Sequence, residues 1–435
     1  MTQDHQARSR RRLTATVTDL DVAIQRAFLI GVQVPGMTEE EEQRSLDELA
    51  LLTDTAGSDP VDRELVKRDR IDPATYIGSG KADELGRLTR ALDIDVVVFD
   101  HPLSPAQQRN LQGIFHCDVV DREALILDIF AQHASSKVGS LQVELALLRY
   151  RLPRLRGMGK ALSQQGAGIG TRGPGETKLE TDRRRILQRI TKLERELEDT
   201  AQHRRTQRKR RRRSKVPQVA IVGYTNAGKS TLLNAVTDAS VLVQDQLFAT
   251  LDATVRQLDL PDSRQVVMAD TVGFVRRLPH GLVEAFQSTL AETNEADLLI
   301  HLVDATDPDL RGQIAAVREV LQEIDADEIP ELMVFNKIDA LNDAQLDRLE
   351  NLYPDATFVS ALRELRLDDL LAAIADAVNE QLVTLSLTIP YDRGDVVAAA
   401  HRIGDVIEEK HDDRGTILDV RVPPASVDRF SAFAT

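Results

Sequence analysis

The sequence contains few cysteine and aromatic residues. Cys117 is the single cysteine among 435 residues, tryptophan is absent, and aromatic residues make up 4% of the chain. One cysteine excludes an internal disulfide framework, and without a CxxC pair or a His/Cys cluster there is no sign of a zinc site. The cores must therefore be built mainly from Leu, Ile, Val and Ala, and the apolar fraction of 42% is enough for packed domains.

Long hydrophobic runs are absent too. The basic N-terminus, MTQDHQARSRRRL, is not followed by an apolar stretch of signal-peptide length, and no run approaches the roughly 18 apolar residues of a membrane span. We expect a soluble, cytoplasmic protein without a membrane span. At about 100 to 200 residues per domain, the length predicts two to four domains.

The charge is distributed unevenly. The net charge is −15, but residues 139–215 contain 22 Lys and Arg against 8 Asp and Glu, a local +14 that leaves −29 for the remainder. Such a segment attracts a polyanion, whereas the rest of the chain repels it. The alternative interpretation is that the basic residues only form the solvated surface of helices. Its last part, RRTQRKRRRRSK (204–215), contains nine basic residues and no acid. This run is typical of a solvated, extended linker, of a source of phosphate contacts to RNA, or of a localisation signal.

Short apolar runs alternate with amphipathic stretches in the first part of the chain. AFLIGVQV (27–34), VVVFD (96–100) and DVVD (118–121) are typical of strands, and a helix is expected to begin near Ser104. This alternation predicts a small α/β domain with a largely parallel sheet. Residues 60–72 are so charged that we expect no strand there.

A helical pair is predicted next. Residues 140–152 are helical in composition and are expected to end before Pro153, and residues 178–200 carry apolar residues at heptad-like spacing. The loop between them, 157–175, contains seven glycines and cannot be a continuous helix. Its letters GIGTRG (168–173) match a dinucleotide-binding pattern, but no apolar strand precedes them, so we reject that interpretation.

The remaining sequence predicts a regular α/β domain and a small tail. Strands are expected near 218–222, 254–260, 266–270, 298–303, 332–335 and 357–359. The PDSR turn (261–264) is short enough for a hairpin, so one strand should be antiparallel in an otherwise parallel sheet. The tail predicts strand, helix, strand. The expected organisation is a disordered basic N-terminus (1–19), an N-terminal α/β domain (20–138), a helical pair with its Gly-rich loop (139–203), a basic linker (204–215), a P-loop domain (216–381) and a small C-terminal domain (382–435).

The segment GYTNAGKS (223–230) has the GxxxxGK[ST] pattern between an apolar strand and a helix. Successive backbone N–H groups and a helix N-terminus supply the donors that phosphate oxygens need, and glycines let the backbone approach. Lys229 supplies the cation for the β- and γ-phosphates, and Ser230 supplies a ligand for Mg²⁺. The pattern therefore predicts a nucleotide-binding P-loop.

NKID (336–339), at the carboxyl end of a strand, predicts which base of the nucleotide is bound. The Asp339 carboxylate can accept hydrogen bonds from both the ring N–H and the exocyclic amine of guanine, whereas adenine has no matching donors. Asn336 is expected to contact the other edge of the base. SAL (360–362) fits a final backbone contact, so the pattern predicts guanine recognition.

Two further motifs are expected to sense the third phosphate. In DTVG (270–273), Asp270 holds Mg²⁺ through water and the Gly273 N–H meets the γ-phosphate. In FATLD (248–252), Thr250 coordinates the metal only when the third phosphate is present. Such loops order with the triphosphate and relax after hydrolysis, which makes a switch.

Phe274 stands where a Ras-like GTPase has the glutamine that orients the attacking water. A benzyl ring cannot do this, so hydrolysis is expected to depend on a partner or a monovalent cation. Asn226 either helps to bind K⁺, as it does in some GTPases without the glutamine, or merely closes the P-loop turn. Arg276 and Arg277 either supply transition-state charge or contact rRNA or a partner.

The predicted catalytic residues are Lys229, Thr250, Gly273 and Phe274, and the predicted metal ligands are Ser230 and Thr250. The residues expected to bind the nucleotide are Gly223, Tyr224, Thr225, Asn226, Ala227, Gly228, Lys229, Ser230, Thr231, Phe248, Ala249, Thr250, Leu251, Asp252, Asp270, Thr271, Val272, Gly273, Asn336, Lys337, Ile338, Asp339, Ser360, Ala361 and Leu362.

These motifs together resemble those of the HflX family of ribosome-associated GTPases. The resemblance rests on GYTNAGKST, FATLD, DTVGF, NKID and SAL, with GIGTRGPGETKLETDRRR upstream and DPATYIGSGK (72–81) earlier still. RGPGETKLETDRR is the most diagnostic piece, because ordinary P-loop proteins lack it. The fold expected is multidomain α/β: a P-loop GTPase domain with a mostly parallel sheet, a small N-terminal α/β domain, a helical pair and a small C-terminal α+β domain.

The resemblance also implies a function. It implies a Mg²⁺-dependent enzyme that hydrolyses GTP to GDP and phosphate and that binds the rRNA of the large ribosomal subunit through residues 139–215. In the family the GTP-bound form parts ribosomal subunits under stress, and hydrolysis permits release. We expect a monomer off the ribosome. The alternatives are a GTP-gated binding module in which turnover is incidental and an ATP-driven RNA remodeller, which is weakened by the absence of a second P-loop.

Overall fold

The computed structural model describes residues 24–155, 174–214, 216–237, 247–248, 254–262, 264–277, 293–380, 382–422 and 426–435. For residues 174–179 and 201–214 only the backbone is described. The predictions for residues 1–19, for the GIGTRG motif and for residues 249–252 of FATLD lie outside these ranges.

The described residues fall into two compact units. The first contains the described residues up to His203, together with residues 247–248 and 272–277, and the second contains the others. The end of the DTVG motif, from Val272 onward, thus belongs to the same unit as the N-terminal part of the chain.

Four parallel strands form the N-terminal sheet of the first unit. In spatial order β2-β1-β3-β4, the strands are β1 (Arg26–Gln33), β2 (Asp59–Lys67), β3 (Val96–Phe99) and β4 (Asp118–Asp121). The helices between and after them are α1 (Glu39–Thr55), α2 (Ser79–Ala91), α3 (Pro105–Phe115) and α4 (Arg122–His133). The predicted parallel α/β domain is confirmed.

Local sequence explains where two of these helices begin. Thr38 caps α1 in a capping box with Glu41, and Ser104 caps α3 in a capping box with Gln107. Each box satisfies backbone N–H groups that have no partner inside the helix. Pro105 occupies the first turn of α3, where its missing N–H costs nothing. The helix predicted near Ser104 is therefore confirmed.

The prediction that residues 60–72 form no strand is wrong. β2 pairs with β1 along its whole length and lies at the edge of the sheet. Most of its side chains are exposed or half-buried, and Val66 is buried. An edge strand needs a backbone partner on one side only and tolerates charged side chains, so the charge pattern did not exclude it.

The helical pair consists of α5 (Lys137–Arg154) and α6 (Pro174–Ser214). Leu141 and Leu145 of α5 pack against Ile190 and Leu193 of α6 in a small apolar cluster. The predicted apolar stripe is thereby confirmed. Beside it, Arg189 donates to both carboxylate oxygens of Glu144, at 2.7 and 2.6 Å.

Two predictions about these helices are wrong. Pro153 lies inside α5, in its last turn, where it removes one backbone hydrogen bond but only Arg154 follows it in the helix. Residues 204–214 continue α6 and do not form an extended linker. Arg, Lys and Gln are good helix formers, which explains how a basic run can stay helical. α6 also begins at Pro174, inside the predicted loop, and proline suits a first helical turn.

Six strands form the sheet of the second unit. In spatial order β10-β9-β8-β5-β7-β6, the strands are β5 (Gln218–Gly223), β6 (Thr254–Asp259), β7 (Gln265–Asp270), β8 (Leu298–Asp304), β9 (Glu331–Asn336) and β10 (Thr357–Phe358). β6 and β7 are antiparallel and every other pair is parallel, which confirms the predicted hairpin. The helices are α7 (Lys229–Val236), α8 (Leu310–Glu323), α9 (Asp343–Leu352) and α10 (Leu367–Glu380). The carboxyl ends of the parallel strands meet at one edge, where α/β sheets bind ligands.

The C-terminal part has one strand more than expected. Its elements are β11 (Val383–Ile389), α11 (Gly394–Ile403), β12 (Asp405–Asp412), β13 (Gly415–Val422) and α12 (Val427–Phe430). β12 was missed because its sequence, DVIEEKHD, is polar. The strand lies at the edge of the sheet, where Val406 is half-buried and the other side chains of the strand are exposed. Among the helices described here, none has the length and apolar character needed to cross a bilayer.

Candidate nucleotide-binding site

The P-loop joins β5 to α7, as predicted. A Cβ at Gly223 would lie 2.2 Å from the carbonyl oxygen of Leu302, and one at Gly228, where φ is 93°, would lie 2.3 Å from Nδ2 of Asn336. No other residue fits at these two positions. Asn226 has a φ of 62°, a conformation that asparagine tolerates better than most side chains.

Lys229 begins α7 and is buried. Its Nζ donates to two carbonyl oxygens of the loop, those of Gly223 at 3.2 Å and Tyr224 at 2.8 Å. Burial lowers the pKa of Lys229 to about 8, and the nearby Asp270 opposes this effect. Because an adjacent anion favours the charged form, a phosphate bound in the loop would raise the pKa of Lys229 again.

Ser230 and Asp270 come together from two different elements. The Ser230 hydroxyl donates to Oδ2 of Asp270 at 2.6 Å, and Asp270 is buried at the end of β7. The next residue, Thr271, donates from its hydroxyl to the carbonyl of Ile221 at 2.7 Å, which fixes the start of the DTVG motif. Hydroxyl and carboxylate oxygens are the ligands that Mg²⁺ prefers, so the pair fits this ion. Thr250 lies outside the described residues.

Asn336 links three loops at the sheet edge, a role that the sequence did not reveal. Its Nδ2 donates to the carbonyl of Ala227 in the P-loop at 2.8 Å, and its Oδ1 accepts the Ala361 N–H at 2.9 Å. The close approach of this amide is also the reason that Gly228 must be glycine. Its contact with guanine stays a prediction.

Asp339 is exposed and held by Ser360. Oδ1 of Asp339 accepts the Ser360 hydroxyl at 2.6 Å, and the same hydroxyl oxygen accepts the Arg363 N–H at 3.1 Å. The structure therefore brings NKID and SAL together, which fits the prediction that both contact one base. Lys337 has a φ of 68° and pairs with Asp304 at 2.6 Å, which ties the motif to the end of β8.

Two predicted site residues, Phe248 and Phe274, are buried within the first unit. The Phe248 ring packs edge-on against Phe130 of α4, with 4.6 Å between ring centroids. Phe274 is 1% exposed and is followed by the equally buried Val275. The aromatic ring thus contributes to a core, and its part in turnover stays a prediction.

Arg277 occupies an acidic pocket that sequence reasoning missed. Its guanidinium pairs with the buried carboxylates of Glu42 and Asp100 and lies 3.2 Å from Nε2 of His101. The contact is neither of the two that the sequence suggested for this arginine. One feature of the sequence pointed to this pocket: Asp100 directly follows the apolar strand VVVF.

Comparison with known proteins identifies the family. Three family descriptions match: "GTP-binding GTPase N-terminal" over residues 43–131, "GTP-binding GTPase Middle Region" over 133–211 and "50S ribosome-binding GTPase" over 218–337. The GTPase HflX of Caldanaerobacter subterraneus is 46% identical over 398 residues, which cover 92% of this chain and 91% of that one. The chain belongs to the HflX family of GTPases.

The GTPase HflX of Escherichia coli K12 is 43% identical over 389 residues, 89% of this chain and 91% of its own length. Membership of the HflX family makes this chain an enzyme that binds GTP and hydrolyses it to GDP and phosphate. The resemblance drawn from the motifs is confirmed.

Proposed function

We propose that this HflX-family chain is a Mg²⁺-dependent GTPase that binds the large ribosomal subunit, parts ribosomal subunits under stress and is released after hydrolysis. The proposal is carried by one observation: a candidate guanine-nucleotide site at a sheet edge belongs to the same chain as a strongly basic helical pair. The match of residues 218–337 to a family described as ribosome-binding GTPases supports the choice of partner.

Guanine selectivity is attributed to Asp339. One of its carboxylate oxygens is engaged by Ser360, which fixes the plane of the group at the surface. A carboxylate in this orientation can accept the two neighbouring N–H donors of guanine, and adenine cannot supply them.

The phosphates are bound by Lys229, by the backbone of the P-loop and by the N-terminus of α7. Ser230 and Asp270 would hold Mg²⁺, directly and through water respectively, since their oxygens already lie 2.6 Å apart. The ion would neutralise charge on the β- and γ-phosphates. Gly273 would present its N–H to the γ-phosphate, and Lys229 would stabilise the charge that develops on the departing group.

The residue at the position of the missing glutamine, Phe274, is buried and has no hydrogen-bonding group that could orient the attacking water. Hydrolysis is therefore proposed to be slow in the free protein and stimulated by the ribosome. Asn226 lies exposed in the P-loop and is the residue proposed to assist a K⁺ ion, which would act as an arginine finger does. If GTP were hydrolysed at the same rate in potassium and sodium salts, the role of Asn226 would be only to close the P-loop turn.

Binding to rRNA is assigned to residues 139–215. This segment carries the local charge of +14 on an otherwise acidic chain, so phosphate contacts are favoured there and repelled elsewhere. Such contacts weaken steeply as salt rises. Within this segment, Leu141 and Leu145 of α5 pack against Ile190 and Leu193 of α6.

The test is a multiple-turnover GTPase assay with and without purified large subunits, combined with sedimentation in a non-hydrolysable GTP analogue. We expect stimulation by large subunits, co-sedimentation with the analogue and loss of intact ribosomes. Tight GTP-dependent binding without stimulation would favour the gated binding module. Intact ribosomes and no bound protein would contradict the proposal.

A further inference from the structure

Thr225 carries a buried hydroxyl group in the P-loop. The residue is 6% exposed, whereas the next residue, Asn226, is exposed. Oγ1 of Thr225 is buried and makes no hydrogen bond to any residue that the structure describes. A buried hydroxyl without a partner destabilises the folded state, because it has given up its hydrogen bonds to water. A ligand that accepts a hydrogen bond at this position would satisfy the group.

A tight turn fixes the backbone on both sides of this hydroxyl. The Ala227 N–H donates to the Tyr224 carbonyl at 3.3 Å, so these residues form a β-turn with Thr225 and Asn226 at its centre. The φ of Asn226 is 62°, which a type II turn requires at its third residue and which asparagine tolerates. Thr225 is also β-branched, so its side chain has few rotamers to choose from. The hydroxyl is therefore held in a restricted set of positions.

Lys229 indicates which phosphate lies nearest to this turn. Its Nζ donates to the carbonyl oxygens of Tyr224 at 2.8 Å and Gly223 at 3.2 Å. The Tyr224 carbonyl belongs to the peptide group that joins Tyr224 to Thr225, so the lysine ammonium and Thr225 are neighbours. In a P-loop the backbone N–H groups hold the α- and β-phosphates, whereas the lysine reaches the β- and γ-phosphates. Thr225 therefore lies toward the γ-phosphate end of the site.

We propose that the Thr225 hydroxyl donates a hydrogen bond to a γ-phosphate oxygen of bound GTP and thereby helps the site to distinguish GTP from GDP. The inference deepens the proposed function, because it rests on GTP binding in this P-loop. A hydrogen bond to a charged oxygen is stronger than one between neutral groups. GDP has no γ-phosphate and leaves the hydroxyl without this acceptor. All the P-loop residues that carry the inference lie within the second unit.

The test compares the full-length wild type with Thr225→Val, which keeps the shape of the side chain and removes the hydroxyl. Titrations with Mg²⁺ and without ribosomes give the affinities for GDP and for a GTP analogue with an imido bridge between the β- and γ-phosphates. We expect Thr225→Val to bind the analogue about tenfold more weakly, the size of one lost hydrogen bond to a charged acceptor. GDP affinity should stay within about twofold. Thr225→Ser, which keeps the hydroxyl, should bind the analogue nearly as the wild type does.

Thermal unfolding of the nucleotide-free chain separates this role from a merely structural one. Replacing a buried hydroxyl that has no partner with a methyl group should raise the unfolding midpoint of Thr225→Val by about 2–4 °C. The matched control is Thr237→Val at the C-terminal end of α7, where the hydroxyl donates to the Leu233 carbonyl at 2.5 Å. Because this change removes a hydrogen bond within the fold, it should lower the midpoint and leave both nucleotide affinities unchanged.

An unchanged affinity of Thr225→Val for the GTP analogue would overturn the inference. Equal losses of affinity for the analogue and for GDP would do the same, because the contact would then not be with the γ-phosphate. A lower unfolding midpoint of Thr225→Val would also contradict it, since the hydroxyl would then have a partner within the fold. A wild-type protein that binds the analogue but ignores large subunits would contradict the proposed function and leave the result on Thr225 standing.

Discussion

The nucleotide pocket and the segment after DTVG are held by different kinds of contact. In the pocket, the neutral amide of Asn336 joins the P-loop to SAL through short hydrogen bonds. In the segment, the ring of Phe274 is buried, and the partly exposed Arg277 pairs with the buried carboxylate of Glu42. Satisfied neutral networks rigidify a site, whereas removing one partner of an ion pair leaves the buried carboxylate uncompensated, which is costly. We therefore expect changes in the pocket to act on nucleotide affinity and changes in the segment to act on stability.

The largest expected effect separates core packing from nucleotide binding. Phe274→Ala should lower the free energy of unfolding by about 3–5 kcal/mol, the range for deleting a buried phenylalanine ring. GDP affinity should be nearly unchanged, and turnover should change mainly with ribosomes present. Denaturant unfolding and a GDP titration measure the two effects. Leu51→Ala, at an exposed position, is the control. A large loss of GDP affinity with unchanged stability would mean that the Phe274 ring contacts the nucleotide.

The next effect tests the pocket itself. Asp339→Ala should weaken GDP binding by about 100-fold or more, because it removes two hydrogen bonds to a charged acceptor, each worth about 1.5–3 kcal/mol. The unfolding free energy should barely change, since Asp339 is exposed. Titration with a fluorescent GDP analogue gives the affinity, and Asp347→Ala on the exposed face of α9 is the matched control. A loss below about threefold would contradict guanine recognition by this carboxylate.

A smaller effect concerns the charge of Lys229. Its pKa of about 8 in the free pocket leaves it partly neutral at alkaline pH, and bound phosphate should restore the proton. GDP binding should therefore take up more protons at about pH 8.5 than at about pH 7. Calorimetry in two buffers of different ionisation enthalpy measures the uptake. Equal uptake at both pH values would mean that the lysine is already charged in the free protein.

The smallest expected effect concerns the acidic pocket. The pKa of His101 is lowered in the folded state, so as pH falls below about 6.5 the unfolded chain takes up a proton that the folded chain resists, and stability is lost. The ring faces Glu42, Asp100 and Arg277. His101→Gln should therefore lose less unfolding free energy between pH 7 and pH 5.5, by about 1 kcal/mol.

Asp128 titrates in the same window, with its pKa raised by burial to about 6, but it acts in the opposite direction and equally in both proteins. The comparison of the two pH profiles therefore isolates His101. If the unfolding free energies of wild type and variant changed in parallel with pH, the pocket would not lower the pKa of His101.

The same contrast explains what the sequence could predict. GYTNAGKS, NKID and SAL are local patterns, so their positions at the ends of strands could be expected, but the hydrogen bond between Asp339 and Ser360 was not predicted. β2 and β12 could not be predicted, because edge strands with exposed side chains lack the alternation of apolar and polar residues that marks a half-buried strand. The pocket around Arg277 joins residues far apart in the chain, and nothing local announces such a contact.

One paired measurement tests the central claim most directly. Asp339→Ala and Phe274→Ala are compared with the wild type for GDP affinity and for the free energy of unfolding. The account predicts that Asp339→Ala loses at least about 100-fold in affinity and keeps its stability, whereas Phe274→Ala keeps its affinity and loses about 3–5 kcal/mol of unfolding free energy. Equal losses of affinity in both variants, or an unaltered stability in Phe274→Ala, would contradict it.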